Sequence, residues 1–221
     1  MENIETSIDI KYLIKKEKSK FIYRFIKRCL DLIGSIGALL VLSPLFLAIG
    51  ILVRLDSKGN IFFAHDRLGK DGEIIKVYKF RTMLTNAQQI LDEMPDDMKR
   101  EFEKNFKFVN DSRITKLGKF LRESSLDELP QLVNIMKGNM SIVGPRPIVS
   151  KEIIKYGKCW DRLLSIKPGL TGNWQVSGRS DTTYEDRVKF DMDYIDKRSF
   201  WTDMVIILKT FGVVIKRVGA K

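Results

Sequence analysis

Between Leu32 and Val53 the chain carries no charged residue and is rich in Leu, Ile and Ala. As one helix this run would be about 33 Å long, enough to cross a hydrocarbon core of about 30 Å. Ser43-Pro44 falls at its centre, and a proline there removes one helical hydrogen bond and pushes its predecessor away from helical dihedrals. Each half is then only about 17 Å long, too short to span alone. Lys and Arg flank both ends: Lys15, Lys16, Lys18, Lys20, Arg24, Lys27 and Arg28 before, Arg54, Lys58, Arg67 and Lys70 after. Basic flanks favour the cytoplasmic side, so both ends ask to face the same way. A helix that dips in, bends at Ser43-Pro44 and returns meets both demands; a kinked spanning helix is the alternative. The carbonyl freed at the bend needs a partner, the Ser43 hydroxyl or a neighbouring segment. Asp31 is expected to pair with Arg28 or to lie at headgroup depth.

Elsewhere the pattern is mixed. Lys11 to Arg28 interleaves cations with Tyr12, Leu13, Ile14, Phe21, Ile22, Phe25 and Ile26, the composition of a basic interfacial helix or of a solvated helical tail. Ile61–Ala64 and Ile74–Arg81 are strand-like, and Asp71-Gly72 between them signals a turn. Strand alternation sets Lys79 and Arg81 on one face, Tyr78 and Phe80 on the other. Residues 84–107 read as polar helix broken at Pro95, with Glu93, Asp96 and Asp97 as solvated surface. Asp111-Ser112 should cap a helix carrying Ile114, Leu117 and Leu121. Asp181 to Arg198 is charged and helical in part. Phe200 to Val218 is apolar but interrupted by Asp203, Lys209, Lys216 and Arg217, which fits a core helix or one along a membrane and not a span.

At 221 residues the chain can bury a real core. Its 39 Lys and Arg against 28 Asp and Glu give +11, a balance that implies an anionic partner: nucleic acid, anionic lipid or a nucleotide-like substrate. Much of that charge flanks the apolar run, and no RNA-binding, zinc-finger or glycine-rich nucleotide motif accompanies it, so nucleic acid is the weakest of the three. Cys29 and Cys159 match no metal spacing and read as unpaired thiols. The acidic start, Met1-Glu2-Asn3-Ile4-Glu5, is not that of a cleavable signal peptide. His65 is the single histidine, which argues against a histidine-based triad or a multi-histidine metal site.

Candidate chemistry gathers at Asp127-Glu128-Leu129-Pro130, ahead of an apolar stretch through Val133, Ile135 and Met136 to Gly138. Proline fits the first turn of a helix, where amide donors lack partners, so Asp127 is expected at or near the N-cap. The positive helix tip would keep that carboxylate ionised and attract phosphate, and the acid could attack phosphorus or hold a metal. Plain helix capping is the commoner meaning of Asp-Glu at such a place. Gly144-Pro145-Arg146-Pro147 is a stiff loop presenting one guanidinium, the side chain suited to bidentate phosphate contact. Lys167-Pro168-Gly169 is a turn signal, and Gln175 to Arg179 a loop ending in a cation.

Taken together these pieces resemble the bacterial sugar transferase family, the monotopic phosphoglycosyl transferases. The matching stretches are Lys27-Arg28 to Arg54 with Ser43-Pro44, and Tyr78-Lys79-Phe80-Arg81-Thr82-Met83. Ser125-Leu126-Asp127-Glu128-Leu129-Pro130-Gln131-Leu132, Lys137-Gly138-Asn139-Met140-Ser141 and Gly144-Pro145-Arg146-Pro147 follow. Lys167 to Gly172, Trp174 to Arg179 and the closing Gly219-Ala220 complete the set. The order is that of the family from about residue 22 onward.

The resemblance implies the re-entrant form of the apolar segment. It implies an α+β fold, a mostly helical cytosolic domain with a small β-hairpin. Residues 1–28 would be the basic amphipathic segment, 29–56 the bent membrane helix and 57–221 the catalytic domain. It also implies transfer of a sugar 1-phosphate from a UDP-sugar to undecaprenyl phosphate with release of UMP, on the cytoplasmic face of a bacterial inner membrane. Asp127 matches the family's nucleophile and Glu128 its partner, with Mg²⁺ held by the two. Lys79, Arg81, Arg122, Pro145, Arg146, Gln175, Arg179 and Asp191 form the expected substrate-binding set. An anionic membrane surface is an expected partner, a homo-oligomer is allowed, and nucleic acid is not expected. Two departures stand out: His65-Asp66, where the family usually has a Gln ahead of Arg-x-Gly, and Asn173 before Trp174-Gln175. Longer members carry a multi-spanning N-terminal region, so this chain is expected to be the compact catalytic form. Direct transfer in a ternary complex and a non-catalytic membrane scaffold are the rival readings.

Overall fold

A computed structural model describes residues 21–95, 99, 108, 111–179 and 182–216. The expectations for residues 1–20, Asp96, Asp97 and Gly219-Ala220 lie outside the described residues. The first helix, α1 (Phe21–Val41), and the second, α2 (Ser43–Asp56), meet at 63°. No single described helix is long and apolar enough to cross a membrane, but this bent pair passes that test together. Helical geometry would join the amide of residue 44 to the carbonyl of Leu40, and proline has no amide to give. The Ser43 hydroxyl donates to that carbonyl instead, at 2.8 Å. The helix α1 runs without a break across residue 28, so the basic flank and the first half of the apolar run form one rod.

The expected hairpin is present: β1 (Phe62–Leu68) pairs antiparallel with β2 (Ile74–Phe80), Phe62 opposite Phe80 and Leu68 opposite Ile74. Asp71, at φ 58°, and Gly72, at φ 77°, close the turn in the left-handed region. The short helix α3 (Ala87–Asp92) follows, then α4 (Lys116–Glu123). Thr115 caps α4, its hydroxyl accepting from the Gly118 amide at 2.9 Å. The expected cap at Asp111 is corrected, because both carboxylate oxygens of Asp111 accept from the Arg113 guanidinium, at 2.8 and 2.7 Å. A 3-10 turn (Leu126–Glu128) leads to α5 (Gln131–Lys137), which Gly138 ends at φ 89°.

A second small sheet was not expected. β3 (Ser141–Val143) runs parallel to β4 (Gly169–Thr171), and the crossover between them holds a 3-10 stretch (Ser150–Cys159) and α6 (Trp160–Leu164). A Cβ on Gly169 would stand 2.1 Å from the Gly144 nitrogen, so the two chains approach too closely for a side chain. The one-turn helix α7 (Asn173–Val176) then precedes α8 (Tyr184–Lys197) and α9 (Phe200–Lys216).

Three polar ties seat α1 on the rest. Arg28 donates to the Ile135 and Met136 carbonyls at 2.7 and 2.9 Å, closing the C-terminal end of α5. Asp31 accepts from the Ser141 hydroxyl and the Ile142 amide at 3.1 and 2.9 Å. The expected pairing of Asp31 with Arg28 is therefore corrected: Arg28 is taken by the last carbonyls of α5, and Asp31 by Ser141 and Ile142 of β3. Asp203 accepts from Tyr23, Lys27 and Tyr194 at 2.9, 2.7 and 2.8 Å. Beneath the bend, Ala38, Leu39, Leu42 and Phe46 pack on Ile75, Val77, Leu132, Ile135 and Met140. The outer faces of α1, α2 and α9 stay apolar and exposed, with Ile33, Leu47, Trp201 and Leu208 each about 70% open.

Candidate active site

Asp127 and Glu128 are held by their apolar neighbours. Leu126 and Leu129 pack against Ile49, Val53, Phe80 and Leu121, which pins the acidic turn between α2, β2 and α4. The turn is 3-10 and separate from α5, whose N-cap is Pro130. This corrects the expectation that Asp127 opens the apolar helix. A continuous α-helix would drive the Pro130 ring into the carbonyl of residue 126, so the chain tightens to the i, i+3 pattern before it. The acids therefore owe their surroundings to side-chain cations rather than to a helix tip.

Those cations come from three elements. Lys79, the last lysine of β2, donates to Glu128 Oε1 at 2.7 Å and stands 3.7 Å from Asp127 Oδ2. Arg146 donates to the same Glu128 oxygen at 2.9 Å, from a loop whose flanking Pro145 and Pro147 are buried. Arg179 reaches in from the loop after α7 and donates to the Ser125 hydroxyl at 3.1 Å. Ser125 and Arg179 both hold left-handed backbone, at φ 58° and 49°, unusual for residues with a Cβ. Two such residues joined by one hydrogen bond at a site's rim mark a place where the fold imposes the conformation.

Lys79 is positioned by a residue that sequence reasoning missed. Asn134, buried in α5, accepts from the Tyr78 amide at 3.0 Å and donates to the Lys76 carbonyl at 2.7 Å. It pairs with the open edge of β2 as another strand would, and so fixes the hairpin against the acidic turn. The available signal was an amide on an otherwise apolar helical face, between Leu132 and Ile135.

The two acids titrate apart. Burial pushes the Asp127 carboxyl up, Lys79 opposes this, and the negative Glu128 adds to it. Burial would also raise Glu128, but Arg146 and Lys79 overwhelm it and hold that carboxyl far below the usual range. Arg122 donates to the Thr82 hydroxyl at 2.9 Å, and burial lowers its basicity while Asp127 partly restores it.

Of the expected substrate-binding set, the structure gathers Lys79, Arg122, Arg146 and Arg179 around the acids. Pro145 stiffens the loop, its carbonyl accepting from the Gly169 amide at 2.8 Å. Arg81 is placed elsewhere, donating to the Val53 and Ser57 carbonyls at the end of α2. Asp191 is fully buried and accepts from the Tyr156 hydroxyl at 2.7 Å; burial pushes its carboxyl up to about 6. Gln175 is buried too, and neither atom of its amide has a partner among the described residues.

The sequence pattern described as bacterial sugar transferase matches residues 22–217. This chain belongs to the bacterial sugar transferase family. It is 46% identical over 210 residues to the undecaprenyl-phosphate galactose phosphotransferase of Salmonella typhimurium, covering 94% of this chain and 44% of that one. It is 44% identical over 191 residues to the exopolysaccharide production protein ExoY of Rhizobium meliloti, covering 85% and 84%. Identity to the UDP-glucose:undecaprenyl-phosphate glucose-1-phosphate transferase of Escherichia coli K12 is 38% over 196 residues, covering 85% and 39%. The chain thus spans less than half the length of the Salmonella and E. coli relatives. Both departures from the family pattern are placed: the His65 ring lies 3.1 Å from Arg67, and Asn173 donates to the Phe190 carbonyl at 3.2 Å.

Proposed function

We propose that this chain transfers a sugar 1-phosphate from a UDP-sugar to undecaprenyl phosphate, the opening membrane step of exopolysaccharide or glycoconjugate synthesis. The observation that carries the reading is the junction of Glu128 with Lys79 and Arg146 beside the buried Asp127. A diphosphate donor and a phosphate acceptor bring several negative charges together, and a cation-rich site of low dielectric tolerates them. The names of the relatives supply the substrate classes.

In the first step an Asp127 carboxylate oxygen attacks the sugar-bearing phosphorus. A bond from oxygen to phosphorus forms, the diphosphate P–O bond breaks, and UMP leaves with the electron pair. In the second, the phosphate oxygen of undecaprenyl phosphate attacks the same phosphorus and frees the carboxylate. Neither step cleaves the sugar's own C–O bond. Glu128, held anionic by its two cations, keeps Lys79 and Arg146 aimed at the incoming phosphates.

Asp127 and Glu128 also suit Mg²⁺, which is commonly held by one or two carboxylates with substrate phosphates completing its shell. Among the described residues there is no cluster of three or more His, Cys, Asp or Glu. Bound there, the ion would neutralise phosphate charge.

The bent α1–α2 pair enters and leaves the same face of the bilayer in this reading, with basic flanks toward anionic lipid on the cytoplasmic side of a bacterial inner membrane. The exposed apolar row of α9 would lie in the interface. Detergent-solubilised protein, Mg²⁺ and a matched UDP-sugar should release UMP in amounts comparable to enzyme when no lipid is present. Asp127→Asn should release none and EDTA should stop the wild type. A matched donor that yields UMP only after lipid is added would support ternary transfer instead.

A further inference from the structure

Behind Arg146 lies an acid with no part in the steps above. Glu152 is buried in the 3-10 stretch after the Pro145-Arg146-Pro147 loop. One oxygen accepts from the Val149 amide at 2.9 Å and from Arg67 at 3.5 Å; the other accepts from Arg187 at 3.2 Å and from the Tyr184 hydroxyl at 3.4 Å. Its partners thus come from β1, from α8 and from its own loop. The amide of Leu68, next to Arg67, donates to the Ile148 carbonyl at 2.8 Å, which ties β1 to the backbone two residues past Arg146. Arg187 is walled by the rings of Trp174, Tyr184 and Tyr156, at 4.7, 5.1 and 6.0 Å.

Three guanidiniums therefore crowd one region. Burial lowers the basicity of Arg67 to about 10, with Arg146 and Arg187 adding to the fall and Glu152 opposing it. Like charges in a poorly hydrated region repel strongly and would splay unless an anion sat between them. Glu128 serves Arg146 on the open side of the loop. On the closed side Glu152 holds both Arg67 and Arg187, while Asp191, 3.9 Å from Arg187, reaches that guanidinium alone.

We propose that Glu152 is a positioning residue of the donor site: by holding Arg67 and Arg187 behind the loop, it keeps Arg146 shaped to receive the diphosphate of a UDP-sugar. This rests on the phosphoglycosyl transfer reading and adds to it the residue that sets donor affinity without touching the donor.

Glu152→Gln preserves size and can still accept from the Val149 amide, but it cannot balance either guanidinium. The expected result is a KM for the UDP-sugar raised about tenfold, as for loss of a charge-assisted contact, with kcat for UMP release within about threefold. Equilibrium binding of UDP should weaken in parallel, and Glu152→Asp should recover part of the loss. Arg67→Gln, which spares the Val149 cap, should raise KM in the same direction and substitutes for Glu152→Gln should that variant fail to fold. Glu185→Gln, at an exposed position on α8, should keep the wild-type KM. A KM left unchanged or lowered in folded Glu152→Gln, the outcome if the acid merely dilutes the positive field, overturns the inference alone. A wild type that releases UMP from no UDP-sugar overturns the parent reading and this one with it.

Discussion

Asp127 and Glu128 are neighbours in the chain with opposite electrostatic fates, and the difference is one of reach. Glu128 touches two cations directly, whereas Asp127 stands 3.7 Å from Lys79 and is otherwise burdened by burial and by Glu128 itself. A nucleophile must be ionised to attack, so activity is lost as pH falls through the value for Asp127. Because that value is raised, the acid limb of UMP release should lie above the ordinary aspartate value of about 4. Lys79 works to lower it, so Lys79→Met should move the limb to still higher pH as well as slow the reaction. A slower variant with its acid limb in the same place would mean that Lys79 acts on substrate alone. The pair was legible from the residues that follow it, Leu129-Pro130-Gln131-Leu132, because Leu91-Asp92-Glu93-Met94-Pro95 repeats the two acids and the proline without them. Arg81 was not, because strand alternation says nothing past the end of the ladder. β2 closes at Phe80, and the next guanidinium turns to the Val53 and Ser57 carbonyls at the end of α2.

Among the elements, the helix break and the hairpin could be read from proline, glycine and alternation, while β3 and β4 could not. Strands of three residues carry no period, and their pairing depends on a crossover that only tertiary packing brings together. The 63° bend falls where Pro44 lacks the amide that Leu40 would accept, and the Ser43 hydroxyl covers that carbonyl instead. Pro44→Ala restores a donor for Leu40 and should straighten the pair. Spin labels at the exposed positions Ile22 and Leu55 should then move apart in detergent or bilayer. An unchanged separation would assign the bend to packing under Leu42 and Phe46 instead.

For the molecule as a whole, the bent helix pair and the side that carries the acidic turn are joined by buried contacts. Asp203 shows this most directly: two of its partners are in α1, one is in α8, and it is itself in α9. Asp203→Ala would strand the Lys27 ammonium, only 18% exposed, and release two tyrosines. Breaking such a buried pair costs about 3 kcal/mol. Thermal unfolding of the detergent-solubilised variant should show one transition at a markedly lower temperature; two separated transitions would mean that the helices and the catalytic side unfold independently. Net charge pointed to an anionic surface, but not to this knot, because Tyr23 and Asp203 are 180 residues apart in the chain.

The Leu40–Ser43 bond bears on how the protein is made. A chain entering oil must hide every amide and carbonyl, and here the elbow supplies its own cover from the adjoining side chain. In the proposed bilayer setting, the bent helix pair would therefore be able to bury itself while later residues are still on the ribosome. The rest of the chain would then assemble against a wedge that is already seated.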